Sequence, residues 1–248
     1  MPVVGTGYLS LPLAALAGAV EQAKAGTLHL VLRPEPVWLS DEEKLAARQE
    51  LQKSLQEASL LDRNGRLDVD FLDWLPLLTT ASIEYYGWVN DGRRTYGILA
   101  AARGLQGIVA IRVGDGIALK PVHREHLADA LMAELPEMRP GGGRPLTIRV
   151  ADLEAVTRED RIPRWDVRDL VNVLQRPVTG TGELYAARRD DLNRYHRLEL
   201  PLHYADTDWG RYLNYTTGTG SDAEVHLAPG SPAALVEHLL RLEQTLPG

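Results

Sequence analysis

The most constraining feature of this chain is a change of period near residue 82. Before it, apolar residues recur at helical spacing. After it, "SIEYYGWV", "RRTYGILAAA", "GIVAIRV" and "GIALKPV" follow one another with alternating character. Alternation puts successive side chains on opposite faces of an extended chain, so four such runs in succession read as consecutive strands. Two turns fix their pairing: Asn90-Asp91-Gly92, and Asp115-Gly116 within "VGDGI". Aspartate and glycine tolerate the positive φ that tight hairpins demand. "HREHLADALMAELP" then reads as a helix with Leu127, Leu131 and Leu135 in line and Pro136 at its end.

The segments before the switch are mostly helical. "LSDEEKLAARQELQKSLQEASLLDRNG" opens with Ser40 and Glu43, a capping box in which each side chain satisfies an unpaired backbone donor. Ala47, Leu51, Leu55 and Ala58 form its apolar stripe, and a shorter helix capped by Asp68 turns Phe71, Leu72 and Leu75 inward. A helix from Ser10 to Ala25, stopped by Gly26, is expected near the start. That stretch has no positive charge before Lys24, so it does not read as a signal peptide, and its apolar run is too short to cross a bilayer. "TLHLVLRP" alternates and reads as a strand ended by Pro34 and Pro36.

"PEMRPGGGRP" reads as a linker, and beyond it the pattern returns. "WDVRDLVNVL" echoes "LDVDFLDWL". "GELYAARR", "RYHRLELPLHYA", "GRYLNYTT" and "AEVHLAP" read as strands, and Ser231-Pro232 opens a last helix. Leu119/Leu227, Pro121/Pro229, Leu127/Leu235 and Leu131/Leu239 are each 108 residues apart. The expected architecture is α+β: a central antiparallel sheet with helices, in two quasi-symmetric halves, 1–139 and 140–248, joined through one sheet.

Composition excludes several functions. Cysteine is absent, so there is no disulfide, thiol nucleophile or thiolate metal site. A net charge of −7 has the wrong sign for a nucleic-acid binder. The arginines of "TREDRIPRWDVRD" are matched by neighbouring acids and read as solvated surface. "DTDWGRYLNYTT" fails as a calcium loop: Gly210 falls at position five and Thr217 at twelve, where a glycine at six and a glutamate at twelve are needed. "HREH" places His123 and His126 at the wrong spacing for a zincin. The glycine-rich runs match neither a P-loop nor a dinucleotide fingerprint, and G-x-S-x-G is missing. Asp190-Asp191 and Glu159-Asp160 lie in charged, turn-like runs. No catalytic residue, cofactor or metal is expected.

The strands are rich in aromatics. Glu84, Tyr86 and Trp88 share one face and Ile83 and Tyr85 the other, while Arg94, Tyr96 and Ile98 line up on the next strand. A sheet in an α+β layer commonly gives one face to helices and one to water, and aromatics with arginine on an open face are the residue types enriched at protein interfaces. In "YADTDWGRYLNY", Asp206 and Asp208 read as turn formers that accept backbone N–H groups, with Gly210 supplying the permissive backbone.

"DTDWGRYL" resembles the D-T-x-x-G-R-Y/F segment of the EspG family, cytosolic chaperones of type VII (ESX) secretion in actinobacteria. "LAAARGLQGIVAIRVGDGIALKPVHREHLADALMAELP" resembles that family's central segment, and "ARQELQKSLQEASLLDRNGRLDVDFLDWL" its N-terminal helical pair. The resemblance implies a cytoplasmic protein that binds the apolar tip of the PPE partner in a PE–PPE heterodimer. It implies no nucleic acid, no membrane insertion, and a monomer or weak homodimer when free. Its binding surface would comprise the central sheet, the Val89–Arg94 loop and the C-terminal helical part. On this chain that gives Tyr86, Trp88, Val89, Asn90, Asp91, Arg93, Arg94, Tyr96, Trp209 and Tyr212. Two other readings stand beside it. One is a small-molecule hydrolase whose His123, His126, His203, Asp206 and Asp208 converge in a pocket. The other is a structural module with its aromatics inside or at a self-interface.

Overall fold

The computed structural model describes residues 7–36, 38, 40–153 and 165–247. The charged run at 157–164 and the Glu159-Asp160 pair lie outside the described residues. One 11-stranded sheet organises the chain. The strands are β1 (Leu9–Pro12), β2 (Ile83–Asn90), β3 (Thr95–Arg103), β4 (Gln106–Val113), β5 (Gly116–His123), β6 (Leu146–Arg149), β7 (Val178–Arg189), β8 (Tyr195–Arg197), β9 (Leu202–Thr207), β10 (Gly210–Thr217) and β11 (Glu224–Pro229). Their order is β1-β5-β4-β3-β2-β7-β9-β10-β11-β6, with β8 pairing β7 off this path, and the pairings between named strands are antiparallel. Read from the centre, each side is a four-strand meander flanked by a short edge strand. The seam between the sides is β2 against β7, where Tyr86 stands opposite Tyr185.

The helices are α1 (Leu13–Gln22), α2 (Asp41–Glu57), α3 (Val69–Thr79), α4 (Leu127–Met132), α5 (Trp165–Leu174) and α6 (Pro232–Gln244). Ser40 and Glu43 form the capping box on α2, Asp68 accepts two backbone N–H groups at the start of α3, and the Ser231 hydroxyl caps α6. Each cap satisfies donors that a helix start leaves unpaired.

Apolar residues collect in three clusters. On one face, Tyr86, Leu99, Ala101, Ile108, Ala110 and Leu119 pack beneath α1, the end of α2, and α3. On the other, Tyr85, Val89, Tyr96, Ile98, Leu184, Tyr204 and Leu213 pack beneath α4 and α6. The third returns to the first face at the far edge, where Val167 and Leu170 of α5 cover Leu146, Tyr212 and Leu227. Leu127 and Leu131 of α4 and their counterparts Leu235 and Leu239 of α6, spaced 108 apart in sequence, all lie in the second cluster.

Several local expectations are corrected. "TLHLVLRP" holds a 3-10 turn, Leu30–Leu32, rather than a strand. The His29 ring accepts the Val31 N–H and turns the chain, and Val31 seats against Gly97, where a Cβ would lie 2.4 Å away. The expected helix from Ser10 starts at Leu13, because Leu9–Pro12 pairs with β5 as the sheet edge. The β4–β5 loop is Gly114-Asp115, one residue earlier than expected, with the positive φ on Gly114. "RYHRLELPLHYA" is two strands, β8 and β9, with Pro201 between them. β6 has no counterpart in the sequence reading.

Candidate functional site

The expectation of one fully open sheet face fails, because helices cover both faces over much of the sheet. Tyr86, Val89, Tyr96 and Tyr212 are buried. Tyr86 stacks flat on Tyr185 with ring centroids 5.3 Å apart, Tyr96 donates its hydroxyl to the Glu134 carbonyl, and Tyr212 donates to the Gly142 carbonyl. Their size and polarity are used inside the fold.

What stays uncovered is narrower. The first face is roofed by α1–α3 over one half and by α5 over the outer edge of the other. Between those roofs, among the described residues, lies a strip of bare sheet. Register places its residues in rows across the strands. Trp88, Glu183, His203 and Asn214 form one row. Asn90, Thr181 and Ala205 form the next, which runs on to Tyr212 where α5 covers the sheet. Trp88 is 37% exposed, Asn90, Thr181 and Glu183 are exposed, and Tyr185, His203, Ala205 and Asn214 are half-buried. Four strands at the usual spacing make a floor roughly 14 Å wide, slightly more than one helix diameter. Trp88 meets both Tyr86 and Tyr185 edge to face, so its ring is held in place before anything docks.

One end of the floor carries a second group of the expected residues. The β2–β3 loop, β7 start and β9–β10 turn all lie there. Asp91 ties the loop together by accepting the Arg93 and Arg94 N–H groups at 2.9 Å each and the Arg94 guanidinium at 3.3 Å. Trp209 stands out from the β9–β10 turn at 41% exposed, with the Arg176 guanidinium 3.3 Å above its ring. Beside it a cavity of about 320 Å³ is lined by Leu146, Asp169, Val173, Trp209, Tyr212 and Leu227. Tyr185, Glu183 and Thr181 were not among the expected contact residues, and His203 was expected only in the hydrolase reading, because which strand lies beside β2 is a matter of topology.

The turn of "YADTDWGRY" works differently from expectation. The Asp206 carboxylate accepts the Arg211 guanidinium at 2.6 and 2.8 Å, and both side chains are buried. Asp208 pairs with Arg176 at 3.2 Å. The turn's own N–H, from Trp209, goes to the Thr207 hydroxyl. Gly210 does carry the positive φ, +118°.

The residues proposed for hydrolysis do not gather. His123 lies on β5 and His203 on β9, five strand spacings or about 24 Å apart across the sheet. Asp206 and Asp208 are engaged by arginines as above. Among the described residues no group of three or more His, Asp or Glu could hold a metal ion, and no helix is long and apolar enough to cross a membrane.

One buried polar cluster was not anticipated. Glu84 accepts the Tyr195 hydroxyl at 2.9 Å, and His29 Nε2 points at the same carboxylate from 3.6 Å. Val31 N–H donates to His29 Nδ1, so the proton of the neutral ring sits on Nε2. Burial, aided by the Arg33 charge, lowers His29 from 6.5 to about 4. Burial raises Glu84 against the Tyr195 hydrogen bond and the Arg189 charge. The two act oppositely on stability. Between pH 6.5 and about 4 the unfolded chain takes up a proton at His29 that the folded chain refuses, so stability falls with falling pH. Glu84, with its raised folded value, contributes stability at low pH that is lost as pH rises through that value. Glu84→Gln removes the second effect. Urea unfolding of that variant should then show a loss of about 3 kcal/mol from pH 6.5 to 4. Adding His29→Asn should flatten the profile, and an unchanged slope would remove His29 as its cause.

Two antiparallel meanders joined at a central seam, with helices on both faces and a strip of bare sheet between them, define an α+β fold of two like halves. The family model described as the EspG family matches residues 12–241, and the chain belongs to that family. Among solved structures, the fold is similar to the Mycobacterium tuberculosis type VII secretion system chaperone EspG5 in complex with a PE25–PPE41 dimer. The two align at TM-score 0.70 and 14% identity over 97% of each chain. A putative adenylate cyclase from Bacillus halodurans, at TM-score 0.13 and 9% identity over 83% of this chain and 82% of that one, shares no usable correspondence. No curated protein sequence matches.

Proposed function

We propose that this protein is a cytoplasmic secretion chaperone for a PE–PPE heterodimer, and that the floor between the helical roofs receives the apolar tip of the PPE subunit. The carrying observation is Trp88: a large apolar ring, part exposed, fixed by Tyr86 and Tyr185, on a bare sheet inside a family of chaperones. The EspG5 structure, solved with PE25–PPE41, supports the partner class. Asn90, Asp91, Arg93, Arg94 and Trp209 would form the rim at one end. Tyr86, Val89, Tyr96 and Tyr212 hold the floor's shape from within. In this reading the protein is not an enzyme, needs no cofactor, and is a monomer or weak homodimer before it meets its client.

The test is co-expression with PE–PPE pairs from the same organism, followed by gel filtration and titration calorimetry. A one-to-one-to-one complex is the expected species. Trp88→Ala should weaken binding by about 30-fold, the loss of one desolvated aromatic anchor worth about 2 kcal/mol. The variant should remain folded, with a lower unfolding midpoint from the lost Tyr86 and Tyr185 contacts, so affinity is measured below that midpoint. Wild-type affinity in this variant would remove the floor from the interface.

A further inference from the structure

We infer that the part of the partner seated on this floor carries a basic residue directly beside its apolar group, and that Glu183 is the group that reads it. This rests on the docking surface proposed above and adds its charge chemistry.

Glu183 stands opposite Trp88 on the neighbouring strand, in the same row and on the same face. Its side chain is 51% exposed. The contacts it makes within the chain are weak: the Tyr185 hydroxyl donates to Oε2 at 3.5 Å, and His203 Nδ1 reaches Oε1 only at 3.9 Å. Around it Trp88, Asn90, Thr181, Ala205 and Asn214 carry no charge. Elsewhere in this region acids are matched at short range: Asp91 with Arg94, Asp206 with Arg211, Asp208 with Arg176. Among the described residues, Glu183 is a carboxylate of the floor with no arginine or lysine paired to it, held only by the long Tyr185 and His203 contacts.

Docking changes what that carboxylate experiences. A partner that covers Trp88 must also cover Glu183, because cross-strand neighbours on one face are only about 5 Å apart. A carboxylate stripped of water without a counter-charge opposes binding strongly. A lysine or arginine next to the partner's apolar side chain removes that opposition and adds a charge-assisted hydrogen bond. The floor therefore selects an apolar-plus-basic end and rejects an apolar-plus-acidic one, the repulsive half of specificity.

Calorimetry of one PE–PPE pair against wild type, Glu183→Gln, Glu183→Lys and Trp88→Ala, at 50 and 500 mM NaCl, tests this. At low salt Glu183→Gln should bind about fivefold more weakly, and Glu183→Lys more than about tenfold. Wild-type affinity should fall with salt, and the Gln variant should respond less. If Glu183→Lys binds like wild type at low salt while Trp88→Ala has lost binding, the floor is the interface and the basic contact is overturned. If both variants bind like wild type, or no pair from the organism binds at all, both the surface and the contact fall. Weakening by Glu183→Lys with no effect of Trp88→Ala overturns the proposal, since the charge would then act without an apolar group seated beside it on the floor.

Discussion

Asp206→Ala is expected to destabilise the protein by about 3–5 kcal/mol, the usual cost of stranding one member of a buried ion pair. Arg211 would be left with its side chain 3% exposed and no carboxylate. Its remaining contacts are the Pro136 carbonyl at 2.9 Å and the Tyr204 ring, whose centroid lies 4.3 Å from the guanidinium carbon. The damage extends beyond the pair, because the Arg211 backbone fastens two other segments. Its N–H donates to the Arg139 carbonyl, and its carbonyl accepts from both Gly141 and Gly230. The linker and the turn into α6 are thus tied to β10 at one residue. Chemical unfolding should show the loss as an earlier midpoint. The double variant Asp206→Leu/Arg211→Met should recover most of it, since apolar replacement of a buried pair is often neutral or better. A double variant no more stable than Asp206→Ala would mean that the pair is needed for its geometry.

This pair also shows what a single sequence can carry. Asp206, Gly210 and Arg211 were visible as a turn, and the turn is there. That the carboxylate would take a guanidinium rather than backbone N–H groups depends on burial, which local sequence does not state. The repeat was legible because leucines facing a core are spaced by the fold: Leu119, Leu127 and Leu131 recur at Leu227, Leu235 and Leu239. The edge strands Leu9–Pro12 and Leu146–Arg149 were not, since four residues are too few to display a period. The floor was half legible. Trp88 marked it from β2, but Glu183 and His203 joined only when β7 and β9 took their places beside it. The error over Tyr86, Tyr96 and Tyr212 came from assuming a single helical layer. With helices on both faces, alternation along β2 separates two cores instead of a core from water, and Tyr85 and Tyr86 are both buried.

The largest effect is expected at the seam between the halves. A Cβ built on Gly87 of β2 would lie 1.9 Å from the Glu183 carbonyl oxygen and 3.1 Å from a Leu184 methyl. Backbone cannot yield as a long side chain can, so Gly87→Ala must push β2 away from β7 or twist their ladder. That ladder runs from Ile83↔Arg188 to Asn90↔Thr181 and joins the two meanders at the centre of the sheet. Strain of this kind belongs with the few substitutions that exceed about 4 kcal/mol, and for a chain of this size the unfolding midpoint should drop by roughly 10 °C or more. Gly142→Ala is the control: nothing lies within 4 Å of its Cβ position and its φ is not positive, so the substitution should be neutral or slightly stabilising through the unfolded chain. The seam also aligns the floor, since Gly87 sits between Tyr86 and Trp88 and opposite Leu184. Where Gly87→Ala still folds at low temperature, client affinity should fall with Trp88 untouched, because Tyr185 and Glu183 would no longer stand where β7 now holds them. Wild-type stability in Gly87→Ala would mean that β2 and β7 are not in contact at this register, and the floor built on that register would go with it.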